Sequence, residues 1–186
     1  MNDTPSPRPL SRVKLLLIVG VFVVPFLLAW ALINSGWLPS TSSHGERIKP
    51  QISFIGIKIK LDNGKSYMWR DSEPRWTLVA LSGSDCMDNC LHLLHLMHNA
   101  RITLNANADQ LRLLYVGQSP RDAHAEAVMR HWQLGTDAEH KLDAFRPLGP
   151  DSVAAILVEP NGTALTRYRA GFDPNGLKDD LQKVIR

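Results

Sequence analysis

The chain has 186 residues, of which 44% are hydrophobic, 21% are charged and only 2 are cysteines; this ordinary globular composition excludes a disordered, collagenous or disulfide-dense protein. The formal net charge is +3, and after residue 44 the chain carries 18 basic side chains scattered among 17 acidic ones. A nucleic-acid-binding surface needs clustered basic residues, so we expect no nucleic-acid partner.

The first feature along the chain is an uncharged stretch at residues 15–43, of which residues 15–33 are almost wholly apolar. This run is long enough to cross a bilayer. Arg8, Arg12 and Lys14 precede it, and cationic flanks of membrane helices stay in the cytoplasm. We therefore expect a single-pass membrane protein with its N-terminus in the cytoplasm and its C-terminal domain exported, which for a bacterial chain means the inner membrane and the periplasm.

The pattern predicts four segments: a cytoplasmic basic tail at 1–14, a transmembrane helix at 15–35, a linker rich in Ser, Gly and Pro at 36–50, and a folded domain at 51–186. A cleaved signal peptide is the alternative to an anchor, because Ala29-Trp30-Ala31 has the form of a cleavage site. We favour the anchor because the apolar run continues to Ile33. Both alternatives export the domain.

A β-hairpin is predicted at the start of the folded domain. Residues 52–61 alternate in hydrophobicity, with three isoleucines on one side. The Asp-Asn-Gly sequence at 62–64 is a typical turn, and it precedes a second short strand at 66–69.

Short apolar runs and helix-capping signals predict the remaining elements. Strands are expected at 76–81, 111–116, 153–158 and 164–168, the last two joined by a turn at 159–162. Helices are expected at 87–104, from Ser119 to Gly135, and after Asp173. The order after the hairpin is β-α-β-α-β-β-α, which implies an α/β fold with a mixed sheet and helices on both faces.

The two cysteines, Cys86 and Cys90, lie between a predicted strand and the start of a helix. A helix N-terminus favours the thiolate, the form of cysteine that binds metals and attacks disulfides. The alternative is a structural disulfide, the usual state of two cysteines in an exported chain. A disulfide that closes so short a loop adds little stability, which favours a functional pair. Because Cys86 lies in the turn before the helix and Cys90 about one turn inside it, we expect a reversible disulfide with Cys86 the more exposed and Cys90 partly buried.

Polar neighbours bear on the choice between redox and metal chemistry. Asp85 and Asp88 oppose thiolate formation by like charge, so we do not expect a strongly nucleophilic cysteine. The same negative field favours a bound cation, and paired soft thiolates suit Cu(I). His92, His95 and His98 centre on the helix face opposite its apolar residues, which predicts a solvated or partner-facing stripe rather than further metal ligands.

These features together resemble a known family. An N-terminal anchor, a strand at 76–81, a Cys-x3-Cys motif opening a helix, and an acid-Pro-x-Gly turn at 159–162 are similar to the membrane-tethered thioredoxin-fold proteins of the Sco (SenC) family, the copper-handling factors for cytochrome c oxidase. The chain resembles still more closely the short transmembrane proteins associated with cytochrome c oxidase in proteobacterial oxidase gene clusters. The resemblance spans about residues 52–186 and implies a thioredoxin-like fold.

The resemblance also implies a site. Cys86 and Cys90 become catalytic thiols or Cu(I) ligands, and Asp151 takes the position of the copper-binding histidine of Sco proteins. A carboxylate is a hard ligand and suits Cu(I) poorly. Pro150 matches the proline that thioredoxin folds place beside the cysteines, the alternative being a loop proline at a strand entry. Leu91 replaces the proline that follows the second Sco cysteine.

The function implied by the resemblance is that of an accessory factor for cytochrome c oxidase assembly. Such a factor acts on oxidase subunits or their assembly factors, and it either passes copper or reduces the disulfide of a copper-site partner. Two alternatives stay open from the residues themselves. One is an enzyme, a general periplasmic thiol–disulfide oxidoreductase, and the other is a non-catalytic structural partner with a locked disulfide.

Overall fold

The computed structural model describes residues 9–34, 43–118, 120 and 123–186. The chain divides into two units, Met1–Ser42 and Ser43–Arg186. The first unit contains helix α1 (Pro9–Asn34). Within the described ranges, no helix combines the length and the apolar character needed to cross a membrane, so the transmembrane helix predicted at 15–35 is not supported. Residues 1–8 of the predicted tail, residue 35 of the predicted transmembrane helix and residues 36–42 of the predicted linker lie outside the described residues.

The second unit is a mixed sheet with three α-helices in its described part. Its elements are β1 (Glu46–Ser53), β2 (Ile59–Leu61), β3 (Trp76–Ser82), α2 (Asp88–Ile102), β4 (Leu111–Val116), α3 (Ala123–Met129), β5 (Gln133–Asp137), β6 (Val153–Val158), β7 (Thr163–Tyr168) and α4 (Pro174–Val184). The strand order is β1-β7-β6-β3-β4-β5-β2. β3 and β5 pair with β4 in parallel, and the other pairs are antiparallel. The predicted mixed α/β fold is confirmed, although β1 begins inside the segment predicted as a linker.

Alternation along the central strand β3 divides the core into two layers. Leu78 and Ala80 face a cluster to which α2, α3 and α4 all contribute, whereas Val79 and Leu81 face the opposite side. The prediction of helices on both faces is therefore wrong. In the described part of the chain, the second face is covered mainly by buried side chains of segment 54–69, which contains the short strand β2 but no α-helix, and its aromatic rings bury large apolar areas.

The hairpin predicted over 52–69 is wrong in its larger part. β1 and β2 lie at opposite edges of the sheet, where β1 pairs with β7 and β2 with β5. The chain turns after β1 because the fully buried Phe54 enters the core, and its carbonyl accepts a hydrogen bond from the Ile57 amide at 2.8 Å. Only the turn at 62–64 remains, with a single bridge between Lys60 and Ser66.

The helix predicted from Ser119 to Gly135 is shorter in the structure, and a strand that was not predicted follows it. Helix α3 ends at Met129, and β5 then pairs with both β4 and β2. Gly135 lies inside this strand rather than ending a helix. A Cβ atom there would lie 2.5 Å from Cγ2 of Ile59, so glycine allows β2 to approach. Ser119 itself lies outside the described residues.

Local signals near the C-terminus predicted the structure correctly. Asp173 caps α4, since its Oδ1 accepts a hydrogen bond from the Asn175 amide at 2.9 Å, and Pro174 is the first helical residue. The turn at 159–162 joins β6 to β7, and Gly162 adopts φ +85°, a left-handed conformation that favours glycine.

Asp180 of α4 binds the first residues of the second unit, residues 43–45. Its Oδ2 accepts hydrogen bonds from Ser43 Oγ at 3.0 Å, from the His44 amide at 2.7 Å and from the Tyr168 hydroxyl at 3.1 Å. Asp180 is only 5% exposed. Burial acts to raise the pKa of this carboxyl, but the hydrogen bonds, mainly those from Ser43, His44 and Gly45, outweigh it and hold the pKa below its ordinary value. The carboxylate therefore stabilises the fold as an anion.

Replacing Asp180 with asparagine should lower the free energy of unfolding by about 2 kcal/mol near neutral pH, because charged hydrogen bonds to buried groups are lost. The folded-state pKa is depressed, so this contribution is present above the unfolded pKa and is lost as the pH falls through the folded value. Urea unfolding of the full chain at several pH values measures it. The exposed Asp179 provides the control, since Asp179→Asn removes the same charge. Equal losses of unfolding free energy in Asp180→Asn and Asp179→Asn would contradict a specific stabilising role for the Asp180 carboxylate.

Candidate thiol–disulfide site

The cysteine pair lies where the end of β3 leads into α2. Cys86 and Cys90 are joined by a disulfide, with their Cα atoms 5.1 Å apart. Cys90 is fully buried and packs with Leu91 and Leu94 on the apolar side of α2, whereas Cys86 is half-buried in the preceding loop. The disulfide and the greater exposure of Cys86 agree with the sequence-based prediction.

Close contact between two loops positions the pair. The Gly83 amide donates to the Ser152 carbonyl at 2.9 Å, and a Cβ atom at Gly83 would lie 2.2 Å from the Gly149 carbonyl oxygen. A side chain at Gly83 would push the loops apart. The loop that precedes β6, which carries Pro150 and Asp151, is thereby held against the start of α2.

Asp151 caps the helix that carries Cys90. Its Oδ1 accepts hydrogen bonds from the amides of Met87 at 2.7 Å and Cys90 at 3.0 Å, and its Oδ2 accepts one from the Asn89 amide at 3.0 Å. The residue at the helix boundary, Met87, provides no side-chain cap. The Asp151 backbone has φ +48°, in the left-handed region. A residue distant in sequence thus satisfies the amides that a local cap normally binds.

The electrostatics of Asp151 follow from these bonds. Burial acts to raise the pKa of its carboxyl, but the backbone hydrogen bonds from Cys90, Asn89 and Met87 outweigh it and hold the pKa below its ordinary value. An anion therefore occupies the positive end of the α2 dipole, where a thiolate of the pair would otherwise receive its strongest stabilisation. The sequence missed this role, because nothing in Gly149-Pro150-Asp151 indicates a distant helix.

The other predicted site residues are placed as follows. Pro150 is exposed beside Asp151 and follows a trans peptide bond, since Lys49–Pro50 is the only cis bond among the described residues. Both carboxylate oxygens of Asp151 accept hydrogen bonds from backbone amides. Its role as a metal ligand stays a prediction. In the described part of the chain, no group of three or more His, Cys, Asp or Glu residues is arranged to hold a metal ion.

The histidine stripe of α2 is only partly solvated. His92 and His95 are exposed, as expected. His98 stacks on His131, with ring centroids 4.0 Å apart, a contact that the sequence did not predict. Burial, together with the charges of His131, Arg101 and His95, lowers the pKa of His98. The stripe therefore contributes packing at its C-terminal end and no side chain to the cysteine site.

A groove of about 1110 Å³ opens beside Cys86 and includes Met87 but not Cys90. Its far wall comes from the ends of β4 and β5 and from the loop before β6. Arg146 braces this region, because its Nη1 donates to the carbonyls of Ser82 at 3.1 Å and Val116 at 3.2 Å. No sequence pattern points to Arg146, which lies in a polar loop. Of the two cysteines, only Cys86 lines this groove.

Comparison with solved structures finds the same fold in Sco proteins and in a peroxiredoxin. Apo Sco1 from Thermus thermophilus superposes with a TM-score of 0.51 at 14% identity, over 80% of this chain and 96% of that one. Copper-bound ScoI from Arabidopsis thaliana gives 0.50 at 15% identity, over 75% and 96%. Peroxiredoxin Q from Xanthomonas campestris gives 0.50 at 16% identity, over 70% and 90%. At these identities the likeness establishes the fold.

Sequence comparisons identify the family. A search of curated proteins gave no match. The family profile described as "Transmembrane-like, thioredoxin-like, C-terminal domain" matches residues 76–186, from the start of β3 to the end of the chain. Because this match covers more than half of the chain and includes the cysteine pair, the protein belongs to the family of transmembrane-like, thioredoxin-like C-terminal domains.

Proposed function

We propose that this protein performs thiol–disulfide exchange through Cys86 and Cys90. One observation carries the proposal: the two cysteines form a disulfide at the start of a helix, with Cys86 on a groove and Cys90 fully buried. In such an arrangement the accessible sulfur attacks the substrate, and the buried sulfur resolves the mixed disulfide. Both sulfurs are thiols when the protein acts as a reductant, and both are in the disulfide when it acts as an oxidant.

The substrate we propose is a cysteine-bearing copper-site protein, met during the assembly of cytochrome c oxidase. The resemblance of the Cys-x3-Cys segment to the Sco family supports this, as does a fold shared with proteins named as Sco. We further propose that the chain is tethered to the bacterial inner membrane by its apolar N-terminal run, with the second unit in the periplasm. The cationic residues before that run support this orientation.

Copper handling is the second candidate function. Two adjacent thiolates suit Cu(I), and the solved ScoI structure of Arabidopsis thaliana contains copper. Asp151 weakens this candidate, because its oxygens are bound to backbone amides and a carboxylate is a hard ligand. We therefore propose exchange as the principal activity, with Cu(I) held by the reduced sulfur pair alone.

A redox titration tests the proposal. The full chain is equilibrated in a series of glutathione buffers, and free thiols are counted by alkylation and mass measurement. We expect both thiols to appear together within the range that these buffers span. A bond that stays intact when glutathione is fully reduced would instead indicate a locked structural disulfide. Thiols that never pair would leave copper binding as the only role.

Copper binding is tested on the same reduced and oxidised protein. Reduced chain is mixed with Cu(I) in the presence of a competing chelator, and the metal retained is measured against oxidised chain. We expect retention only in the reduced state, and loss of retention in Cys90→Ser. Equal copper in both redox states would place the metal elsewhere and contradict a thiolate site.

A further inference from the structure

We propose that the groove beside Cys86 binds a positively charged segment of the partner protein, with a Lys or Arg side chain received by the acidic wall that contains Asp137. This inference rests on the proposed exchange function and names the substrate class of that site. It is carried by the charge of the groove, by an unpaired buried carboxylate oxygen, and by the apolar residues at its edge.

The charged residues that line the groove are predominantly acidic. Among the described residues, the lining includes Asp62, Asp85, Asp137 and Asp143 against one arginine, Arg146, and one histidine, His140, which pairs with Asp143 at 3.0 Å. Arg146 is already engaged, since its Nε donates to Asp143 at 3.1 Å. The other three carboxylates have no ion pair with a described residue. A groove of this charge attracts cationic groups and repels anionic ones.

Asp137 adds an observation independent of the acidic cluster. It lies at the end of β5 and is only 4% exposed. Its Oδ2 accepts the Leu142 amide at 2.7 Å, but its Oδ1 is buried without any hydrogen-bond partner among the described residues. Leaving a carboxylate oxygen unpaired in a buried position is unfavourable. An ammonium or guanidinium group bound in the groove supplies the opposite charge beside this carboxylate.

The size and edge of the groove favour a polypeptide over a metal ion. No set of three metal-ligating side chains is present in the described part of the chain, and a volume of about 1110 Å³ exceeds what an ion requires. Leu148 is fully exposed on the groove, and Met87 is 54% exposed next to Cys86. Such residues contact the aliphatic stem of a lysine or arginine while the carboxylates bind its charged end.

The chemical step then follows with atoms and electrons balanced. The Cys86 thiolate attacks the partner's disulfide, forms a bond to one partner sulfur and releases the other as a thiolate. The Cys90 thiolate next attacks Cys86 and releases the first partner sulfur. The partner's disulfide is reduced to two thiols, and the Cys86–Cys90 pair is oxidised to its disulfide. A cation beside the partner's cysteine aligns it in the groove for the first attack.

Two peptides test the proposal. Each carries one cysteine as a mixed disulfide with thionitrobenzoate, flanked by lysines in one peptide and by glutamates in the other. Reduced full chain should react with the basic peptide about 10-fold faster at low ionic strength, and the ratio should approach one as salt is added. A ratio near one at low salt, or a preference for the acidic peptide, would overturn the groove assignment.

Variants locate the effect. Asp62→Asn and Asp85→Asn should each reduce the ratio of the two rates at least threefold. A general change in Cys86 reactivity alters the rates with both peptides equally and therefore leaves their ratio unchanged. Asp109 lies just before β4, at the end of the sheet opposite the groove. Asp109→Asn removes the same charge and should leave the ratio unchanged. Asp137→Asn is a secondary variant, because its Oδ2 also holds the Leu142 amide.

A neutral disulfide and a binding measurement separate this inference from the proposed function. If the reduced chain reacts with neutral dithiodipyridine but shows no charge preference, exchange stands and the groove assignment fails. If it reduces no disulfide at all, the exchange function fails. Binding of a lysine-flanked peptide with serine in place of cysteine to the oxidised chain, weakened by Asp62→Asn, would then still support the groove. Self-association of the chain through this groove, measured by sedimentation, would contradict the groove assignment.

Discussion

Cys86→Ser should abolish reduction of a disulfide substrate, whereas Cys90→Ser should trap that substrate as a mixed disulfide on Cys86. The reason is access: Cys86 lies on the groove, and Cys90 is fully buried behind it. We expect the rate for Cys86→Ser to fall at least 100-fold, because the remaining sulfur cannot reach a large substrate. Incubation of each variant with a cysteine-containing peptide disulfide, followed by intact-mass measurement, shows the trapped species.

The opposite pattern, with trapping on Cys90, would contradict the assignment of the attacking sulfur. A second result would contradict exchange altogether: both variants would show only lower stability, equal in size, and no covalent adduct. Comparison with the double variant, in which both cysteines are replaced by serine, separates the stability that the disulfide provides from its chemistry.

Asp151→Asn should make the Cys86–Cys90 disulfide easier to reduce, raising its reduction potential by about 30 mV, which corresponds to a tenfold change in the equilibrium constant. The carboxylate binds the Cys90 amide and occupies the N-terminus of α2. Removing its charge stabilises a thiolate there and with it the reduced state. Equilibration of the full chain with glutathione measures the potential.

The same substitution should also lower the free energy of unfolding by about 1 kcal/mol at neutral pH, as is typical when a helix cap is lost. The pKa of Asp151 is held below its ordinary value. Its contribution is therefore present above the unfolded pKa and disappears as the pH falls through the folded one, so the difference between wild type and variant should shrink in acid.

Asp88→Asn is the matched control for Asp151. Asp88 is an exposed acid in the first turn of the same helix, so its removal changes the charge near the pair without removing an acceptor of the α2 amides. We expect a smaller change in potential and little change in stability. Equal effects of the two substitutions would show that general charge, rather than the cap, sets the behaviour of the pair.

The sequence by itself determined the elements that depend on neighbouring residues. The apolar runs that became β3, β4 and β6 are bounded by turn residues, so their burial could be predicted without knowing their partners. The cap at Asp173 and the turn at 159–162 are completed within a few residues. The placement of Cys86 before a helix and of Cys90 inside it belongs to the same class, and it predicted which sulfur would be exposed.

Only the tertiary structure decided the features that join distant parts of the chain. Strand β5 is weakly apolar and forms because β4 and β2 both pair with it. Asp151 reaches the amides of α2 from more than 60 residues away, and Asp137 becomes part of the cysteine groove only when β5 lies beside β4. Such contacts depend on strand order and loop approach, and periodicity within a short window carries no information about either.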